Sequence, residues 1–300
     1  MTATSRWHAG LVWTGDGTIA RDVLIDVDGE RIVAVTPGVS RPTDATRLGG
    51  LVMPGLANAH SHAFHRVLRG HGQDAGGDFW SWRDRMYAVA EVLDPDLYRD
   101  LAAAVFAEMA LAGITAVGEF HYLHHGPDGR PYEQRSAMGH ALADAAQAAG
   151  VRLTLLDTCY LRSGFGGEPL SPSQRRFTDG HASQWAERVG DLASAMAGRP
   201  RVRVGAAIHS VRAVDQVGMS IVAEWARAAE APLHFHLSEQ PAENQAALVA
   251  TGMTPTELVE TAGALGGRST AVHATHLGAG DIARLGRSGT SICLCPLTER

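Results

Sequence analysis

The feature that most constrains the fold of this chain is a repeated change of hydrophobic rhythm after Pro54. Apolar, β-branched runs recur, and each is followed by polar residues and then by a stretch of helical character. The runs begin at seven places: Leu51, Ile114, Val151, Val202, Pro232, Thr270 and Thr290. The clearest helix starts at Asp94 as N-cap, has Pro95 in its first turn and stops at Gly113. Strands that alternate with helices indicate a parallel sheet with helical crossovers.

Seven such units come close to the eight of a (β/α)8 TIM-type barrel, which takes roughly 250 residues and has its active site at the C-terminal strand ends. We predict this α/β barrel over residues 54–300, with its eighth unit missing because the sequence stops after the seventh run. A barrel lacking a strand has two unpaired edges, so we expect the front portion of a longer protein. The alternative, a doubly wound sheet, needs a glycine-rich phosphate loop, and ANAHSHAFHR at residues 57–66 is not one.

Residues 1–53 differ from the rest because they show little helical periodicity. LVWTG and DVLIDVDGERIVAV read as short strands, with a tight hairpin at Asp28 and Gly29. We expect a small N-terminal β-sandwich domain here. It is expected to be partial, because strands from the C-terminal end would normally complete it.

Composition and charge exclude several classes of function. A net charge of −6 and a pI of about 6.2 offer no surface for nucleic acid or an anionic membrane. No apolar run approaches the ~20 residues of a membrane span, and no secretory signal is visible. The cysteines, Cys159, Cys293 and Cys295, number three, which argues against a disulfide framework and for a reducing cytoplasm. Cys293 and Cys295 alternate on an apolar run and are interpreted as one face of a buried strand.

Histidines at the ends of the runs predict a metal site. His60 and His62 are two positions apart, so on a strand both point to the same side and into the barrel mouth. The alternative is two structural histidines bonded to the backbone. The fifth run supplies His234 and His236, of which His236 is nearer the strand end and is chosen as the third ligand. Three imidazoles favour Zn²⁺, with Fe²⁺ as the alternative.

The chain contains no lysine, since all 26 basic residues are arginines. Binuclear hydrolases on this fold commonly bridge two metals with a carbamylated lysine, which is impossible here. The sequence therefore predicts one metal ion.

Two further residues are candidates for the chemistry. Glu239 follows His236 by three positions, where a carboxylate can reach a metal-bound water as general acid and base. His273 and His276 differ by three, so they face opposite sides of a strand, and His273 is chosen as the inward one. Asp157 is interpreted as structural, which leaves the expected aspartate base to the missing eighth strand.

PGLANAHSH, HLSE and VHATH together resemble the amidohydrolase superfamily in its mononuclear deaminase branch. More narrowly, HSHAFHR, FWSWRDRMY, GEFHYLHH, HSVRAV, HLSEQ and VHATH resemble the formimidoylglutamate deiminase family, as far as Arg300. The resemblance implies hydrolysis of N-formimidoyl-L-glutamate to N-formyl-L-glutamate and ammonia, a step of histidine degradation. It implies zinc on His60, His62 and His236, a proton shuttle at Glu239, and stabilisation of the tetrahedral centre by His273.

The same resemblance implies a set of substrate-binding residues: His65, Arg83, Tyr122, His209 and Arg212. A substrate with two carboxylates fits this set, because arginine binds carboxylate in bidentate fashion and no lysine competes for the role. Arg83 is expected in an aromatic loop at residues 79–82. The alternatives are a surface ion pair for Arg83 and a core tyrosine for Tyr122. His65 departs from the family, where glutamine is expected.

Two rival functions stay open. One is another deaminase of the same branch, acting on guanine or an adenosine derivative, whose pocket should favour aromatic stacking and amide contacts over arginines. The other is a metal-binding barrel without catalysis. The expected partners are a small-molecule substrate and a second copy of the chain in a homodimer, with a cytoplasmic location.

Overall fold

The computed structural model describes residues 4–70 and 79–299. The chain divides into two compact units, Met1–Leu56 and Ala57–Arg300. The first unit contains β1 (Thr4–Trp13), β2 (Ile19–Asp28), β3 (Arg31–Thr36) and β4 (Thr46–Val52).

These four strands form one sheet in the order β3-β2-β1-β4. The β1/β2 and β2/β3 pairs are antiparallel, and β1 pairs with β4 in parallel. Gly29 has a φ of 58° in the β2–β3 turn, a conformation that suits glycine and the predicted hairpin. The N-terminal β domain is therefore a single mixed sheet in the described part of the chain.

In the part of the second unit that the structure describes, seven strands alternate with helices along the chain. The strands are β5 (Leu56–Ser61), β6 (Ile114–His121), β7 (Arg152–Cys159), β8 (Val202–Ile208), β9 (Leu233–Leu237), β10 (Ser269–His273) and β11 (Ser291–Cys293). They lie in simple sequential order from β5 to β11, and the pairs from β6 to β11 are parallel. Consecutive parallel neighbours joined by helices are the topology of a (β/α) barrel, so the predicted fold class is confirmed.

Helices lie between these strands along the chain. They are α1 (Phe79–Val92), α2 (Pro95–Leu111), α3 (Ala137–Ala149), α4 (Ala182–Met196), α5 (Gln216–Ala228), α6 (Pro241–Thr251), α7 (Pro255–Thr261) and α8 (Ala279–Ser288), with 3-10 helices at Ala63–Leu68 and Pro172–Phe177. The side chain of Asp94 accepts a hydrogen bond from the Leu97 N–H at 2.8 Å, as expected of the N-cap of α2. Within the described ranges, every helix is too short or too polar to span a bilayer.

Three local expectations are wrong. The run from Leu51 is not one strand, because it contributes first to β4, and the barrel strand begins only at Leu56, after Pro54 and Gly55. The aromatic segment expected as a loop is the start of α1. Cys293 ends β11 and Cys295 lies beyond it, and both are half-exposed, because β11 is the outermost strand of the described sheet.

Glycine allows two strands to approach closely beneath the site. A Cβ on Gly118 of β6 would lie 2.8 Å from the carbonyl oxygen of Ala59 on β5. Any larger residue would push β6 away from β5. This contact brings Phe120 of β6 beside His60 of β5, with their ring centroids 5.2 Å apart.

Candidate active site and metal centre

The residues selected from the sequence gather around one cavity of about 470 Å³ at the C-terminal ends of the barrel strands. All ten line it: His60, His62, His65, Arg83, Tyr122, His209, Arg212, His236, Glu239 and His273. They come from the ends of five strands, which are β5, β6, β8, β9 and β10, from the 3-10 helix Ala63–Leu68 and from α1. The barrel topology therefore brings together side chains that are up to about two hundred positions apart in the sequence.

Three imidazoles point one nitrogen each toward a common point. The Nε2 atom of His236 lies 3.3 Å from Nε2 of His62 and 3.3 Å from Nε2 of His60. On the opposite side of the rings, Nδ1 of His62 lies 2.8 Å from the carbonyl oxygen of Phe120, and Nδ1 of His236 lies 2.7 Å from that of His209. A carbonyl oxygen only accepts, so each Nδ1 carries the proton and each Nε2 presents a lone pair.

This arrangement fits a bound divalent ion. Lone pairs that face each other at 3.3 Å repel unless a cation lies between them. Four ligands around Zn²⁺, with Zn–N bonds of about 2.05 Å, place neighbouring nitrogens ~3.3 Å apart. Removal from water, and then neighbouring histidines, lower the pKa of His60, His62 and His236 well below the ordinary value. The three rings are therefore neutral near pH 7, the state in which imidazole binds metal.

Glu239 and His273 lie beside the three imidazoles. The ring of His273 stacks on that of His236, with centroids 5.5 Å apart and planes at 19°. Its Nε2 atom lies 3.7 Å from Oε2 of Glu239, and its Nδ1 atom lies 3.3 Å from Oε1 of Glu299. The carboxylate and the imidazole are thus adjacent, and both line the cavity, where they can reach the same reactant.

The backbone at these two strand ends is strained. Ser238, His273 and Ala274 have φ values of 50°, 70° and 53°, in the left-handed region that residues other than glycine seldom adopt. The Ala274 N–H donates to the carbonyl oxygen of Leu237 at 2.9 Å and ties the end of β10 to that of β9. The strain turns the chain sharply after each strand, so that His273 and Glu239 both face the cavity.

The predicted substrate-binding residues form a further part of the cavity wall. Nε2 of His65 lies 2.7 Å from the Tyr122 hydroxyl, which in turn lies 3.8 Å from Sδ of Met86. Burial lowers the pKa of His65 to about 3 and raises the pKa of Tyr122 well above its usual value. Both groups are therefore neutral hydrogen-bonding partners. His209 is likewise neutral, because burial lowers its pKa.

Positive charge in this wall comes from two arginines. A guanidinium NH of Arg212 donates to the Ser163 carbonyl oxygen at 3.4 Å, and the guanidinium of Arg83 lies 5.7 Å from the ring centroid of Tyr87. Arg83 is thus on α1 and in the cavity wall, where it is partly buried.

Sequence reasoning missed several residues of the cavity wall. They are Trp82, Met86, Tyr87, Tyr160, Phe177, Ser210, Gln240, Glu243, Cys295 and Thr298. Most follow no strand end and have no spacing that marks them. Glu243 is the only further acidic residue among them, and burial raises its pKa to about 7. Cys295 lies close enough to His60 and His273 to share an ion with them, but His60 already belongs to the three-imidazole site.

A second cluster, formed by His121, His124 and Asp157, also has metal-binding spacing. However, the guanidinium of Arg188 donates to both carboxylate oxygens of Asp157 at 2.8 Å, and the indole NH of Trp185 donates to Oδ1 at 2.9 Å. A guanidinium in that position repels a cation and already satisfies the carboxylate. The cluster is therefore a buried structural network, in keeping with the interpretation of Asp157.

Comparison with known proteins places this geometry in a family. Residues 51–300 match the amidohydrolase family. The chain belongs to the amidohydrolase family. The formimidoylglutamate deiminase of Pseudomonas aeruginosa is 36% identical over 283 residues, which are 93% of this chain and 62% of that protein. The predicted resemblance is thereby confirmed, although the chain spans under two thirds of this relative.

Other members of the family are also similar. The 5-methylthioadenosine/S-adenosylhomocysteine deaminase of Halobacterium salinarum is 31% identical over 302 residues, covering 100% of this chain and 63% of that enzyme. Among solved structures, an amidohydrolase from Brucella melitensis superimposes with a TM-score of 0.92 at 34% identity, covering 98% of this chain and 65% of that one. Since these relatives are named for different substrates, family membership alone does not identify a substrate.

Proposed function

We propose that this amidohydrolase deaminates N-formimidoyl-L-glutamate with one Zn²⁺ ion, giving N-formyl-L-glutamate and ammonia. The observation that carries the proposal is a single cavity lined both by the three converging imidazoles and by two arginines, Arg83 and Arg212. The substrate has the matching chemistry, because it joins a hydrolysable formimidoyl group to two carboxylates.

His60, His62 and His236 would hold the ion. When bound there, zinc activates a water molecule for attack on the formimidoyl carbon. The carboxylate of Glu239 would pass one proton of that water to the formimidoyl nitrogen as the C–O bond forms. It would then carry the proton of the new hydroxyl group to the same nitrogen, so that the C–N bond breaks, the formyl C=O forms and ammonia leaves. His273, whose Nε2 atom faces the Glu239 carboxylate at 3.7 Å, donates a hydrogen bond to the tetrahedral centre.

The cavity wall orients the glutamate part of the substrate. Arg83 and Arg212 supply two positive charges for its two carboxylates, and arginine makes the charge-assisted bonds that such recognition needs. His65, Tyr122 and His209 add neutral hydrogen-bonding groups. Burying the two carboxylates of the substrate removes them from water, and pairing with the two arginines offsets that cost.

A second candidate is a deaminase of adenosine derivatives or guanine. It is favoured by the similarity to the 5-methylthioadenosine/S-adenosylhomocysteine deaminase and by the aromatic rings of Trp82, Tyr87, Tyr160 and Phe177 in the cavity wall. These rings could stack on a purine, whereas two arginines would have no anion to bind.

Ammonia release from formimidoylglutamate, guanine and 5-methylthioadenosine separates the two candidates. We expect formimidoylglutamate to be turned over with the highest kcat/KM by zinc-loaded protein. Arg212→Met should then reduce that turnover more than any purine turnover. Faster release of ammonia from either purine compound would contradict the proposal.

The remaining expectations belong to the same proposal. A role in histidine degradation follows from the proposed substrate, and Fe²⁺ is the alternative ion. A cytoplasmic location is supported by the three free cysteines, as a reducing compartment would leave them. The homodimer stays a prediction, which light scattering of the purified protein would check.

A further inference from the structure

Arg176 is fully buried but does not line the cavity. It lies in the 3-10 helix Pro172–Phe177, and its exposed fraction is 0%. Its Nε atom donates to the carbonyl oxygen of His125 at 3.0 Å, and one terminal nitrogen donates to that of Ala90. The other terminal nitrogen donates to the carbonyl oxygen of Leu93 at 2.8 Å and contacts the Tyr132 hydroxyl at 3.4 Å.

All four of these partners are neutral oxygens. Ala90 and Leu93 lie at the C-terminal end of α1, where carbonyl groups lack partners within the helix and the helix dipole is negative. The guanidinium therefore caps α1 and is stabilised by that dipole. Burial lowers the pKa of Arg176. A buried arginine without a carboxylate partner is costly, so its position calls for a reason beyond packing.

The backbone of Arg176 bonds to a further segment, and we call the contacts around this residue the Arg176 junction. Its carbonyl oxygen accepts hydrogen bonds from the N–H groups of His124 and His125 at 3.1 and 3.0 Å. These two residues follow Tyr122, which lies in the cavity wall after β6. One residue therefore connects the end of α1, the segment after β6 and the 3-10 helix.

Neighbouring contacts fix the 3-10 helix to the same elements. The Ser173 hydroxyl donates to Oε1 of Glu91 on α1 at 2.6 Å, and the Gln174 side chain donates to the Tyr160 hydroxyl at 2.7 Å. The ring of Phe177 lies 5.1 Å from that of Tyr122. The Arg176 junction is thus continuous with the cavity wall.

The element that Arg176 caps carries substrate-facing side chains. Trp82, Arg83, Met86 and Tyr87 all belong to α1 and all line the cavity. A rotation of α1 about its far end would move them together. The positions of Arg83 and Tyr87 therefore depend on how firmly the C-terminal end of the helix is held.

We propose that Arg176 is a positioning residue for carboxylate recognition, which holds α1 so that Arg83 faces the cavity. It touches neither substrate nor metal and acts through Arg83. The inference rests on the proposed function, because it assumes that Arg83 binds a carboxylate of the substrate.

The test is Arg176→Lys, which keeps the positive charge but cannot reach all four oxygens with one ammonium group. We expect KM for formimidoylglutamate to rise about tenfold while kcat stays within about threefold, because orientation of the carboxylate is lost and the chemistry is not. In an Arg83→Met background, Arg176→Lys should raise KM little further, as expected of residues that act as one unit. Additive effects on KM would overturn the inference.

A matched control is Arg188→Lys, which changes another buried arginine whose partners are Asp157 and Asp179 and not α1. Hydrogen exchange of the peptide covering residues 82–93 should become faster in Arg176→Lys and stay unchanged in Arg188→Lys. Equal exchange in all three proteins would overturn the inference. If Arg176→Lys folds poorly, Ser173→Ala should also raise KM and speed hydrogen exchange of α1, but to a smaller extent. Unchanged exchange and unchanged KM in Ser173→Ala would overturn the inference.

Failure of the proposed function gives a different result. Wild-type protein would then release no ammonia from formimidoylglutamate, whatever the exchange of α1 shows. If the wild type is active and the KM of Arg176→Lys is unchanged, the positioning role of Arg176 is disproved and the proposed function is not.

Discussion

Backbone oxygens decide which ring nitrogen of His62 and of His236 carries the proton. Each Nδ1 faces a carbonyl oxygen, that of Phe120 or that of His209, at under 3 Å. The bonds fix both the tautomer and the direction in which each ring points its free nitrogen. The site is therefore preorganised for a cation by hydrogen bonds that the spacing of histidines in the sequence does not reveal.

Glu239→Gln tests the proton transfer at the level of one atom. The amide keeps the size of the side chain but neither takes up nor delivers a proton at neutral pH. We expect turnover to fall by about 10²–10⁴-fold with bound zinc unchanged, because general acid–base catalysis contributes that much. Steady-state ammonia release and metal analysis on the same sample measure both quantities.

Glu224→Gln is the control for this change, since Glu224 is exposed on α5. It should leave turnover and zinc content unaltered. Normal activity in Glu239→Gln would show that Glu239 is not the group that transfers the proton.

Arg212→Met tests charge recognition in the cavity wall. Loss of a charge-assisted bond to a carboxylate should raise KM roughly 10–100-fold, with a smaller change in kcat. The measurement is the dependence of initial rate on formimidoylglutamate concentration. Arg135→Met serves as the control because Arg135 forms an exposed pair with Asp191. Equal KM values in the two variants would show that Arg212 does not bind the substrate.

Residue patterns predicted which strand-end histidines face inward, and the structure shows why this was feasible. Inward and outward side chains alternate on a strand, so the spacing of His60 from His62 and of His273 from His276 contains the information. The conformation that brings His273 to the cavity also needs a left-handed φ of 70°, which no pattern indicated. Glu243 reaches the cavity from α6, where a single acidic residue is indistinguishable from a solvated one.

Individual strands and helices are joined by a buried ion network on the outer side of the barrel. Arg188 on α4 binds Asp157 at the end of β7 and Asp179 in the segment before α4, with distances of 2.8 and 2.7 Å. His125, which follows β6, lies 3.1 Å from Asp179. The network ties α4 to two neighbouring strands, and breaking one of its buried pairs should cost about 3–5 kcal/mol.

Asp179→Asn makes this network testable through pH. Burial opposes ionisation of Asp179, but its bonds to His125 and Arg188 outweigh burial and hold its pKa below the ordinary value. A depressed folded-state pKa contributes stability above the unfolded pKa of about 3.9, and that stability is lost as pH falls below it. We therefore expect Asp179→Asn to be about 3 kcal/mol less stable than wild type at pH 7, with a gap that narrows below pH ~4.

Urea unfolding at several pH values measures this gap. Asp191→Asn, which removes an exposed pair with Arg135, should change the free energy of unfolding by ~1 kcal/mol or less. A gap for Asp179→Asn that stayed constant from pH 7 to pH 3 would contradict the assigned charge state.

At the level of elements, alternation of runs and helices was enough to predict the barrel, but not where its first strand begins. Leu51 and Val52 read as one run with the barrel strand, yet they pair with β1, because Pro54 and Gly55 interrupt the chain. The aromatic start of α1 was expected as a loop that follows the first barrel strand. Its helical state depends on tertiary contacts, among them the cap that Arg176 provides.

For the molecule as a whole, the family match and the geometry of the cavity agree on one arrangement. Side chains from β5, β8, β9 and β10 meet at one end of the parallel strands, where a barrel places its chemistry. The chain spans 62% of the length of the formimidoylglutamate deiminase it resembles. These 300 residues contain no lysine that could be carbamylated to bridge two ions.

The most direct test of the central claim is anomalous diffraction at the zinc edge from crystals of the metal-loaded protein. We predict one peak in the cavity, about 2.0–2.1 Å from Nε2 of each of His60, His62 and His236. A protein with no peak between these nitrogens, or with its strongest peak at His121, His124 and Asp157, would contradict the account.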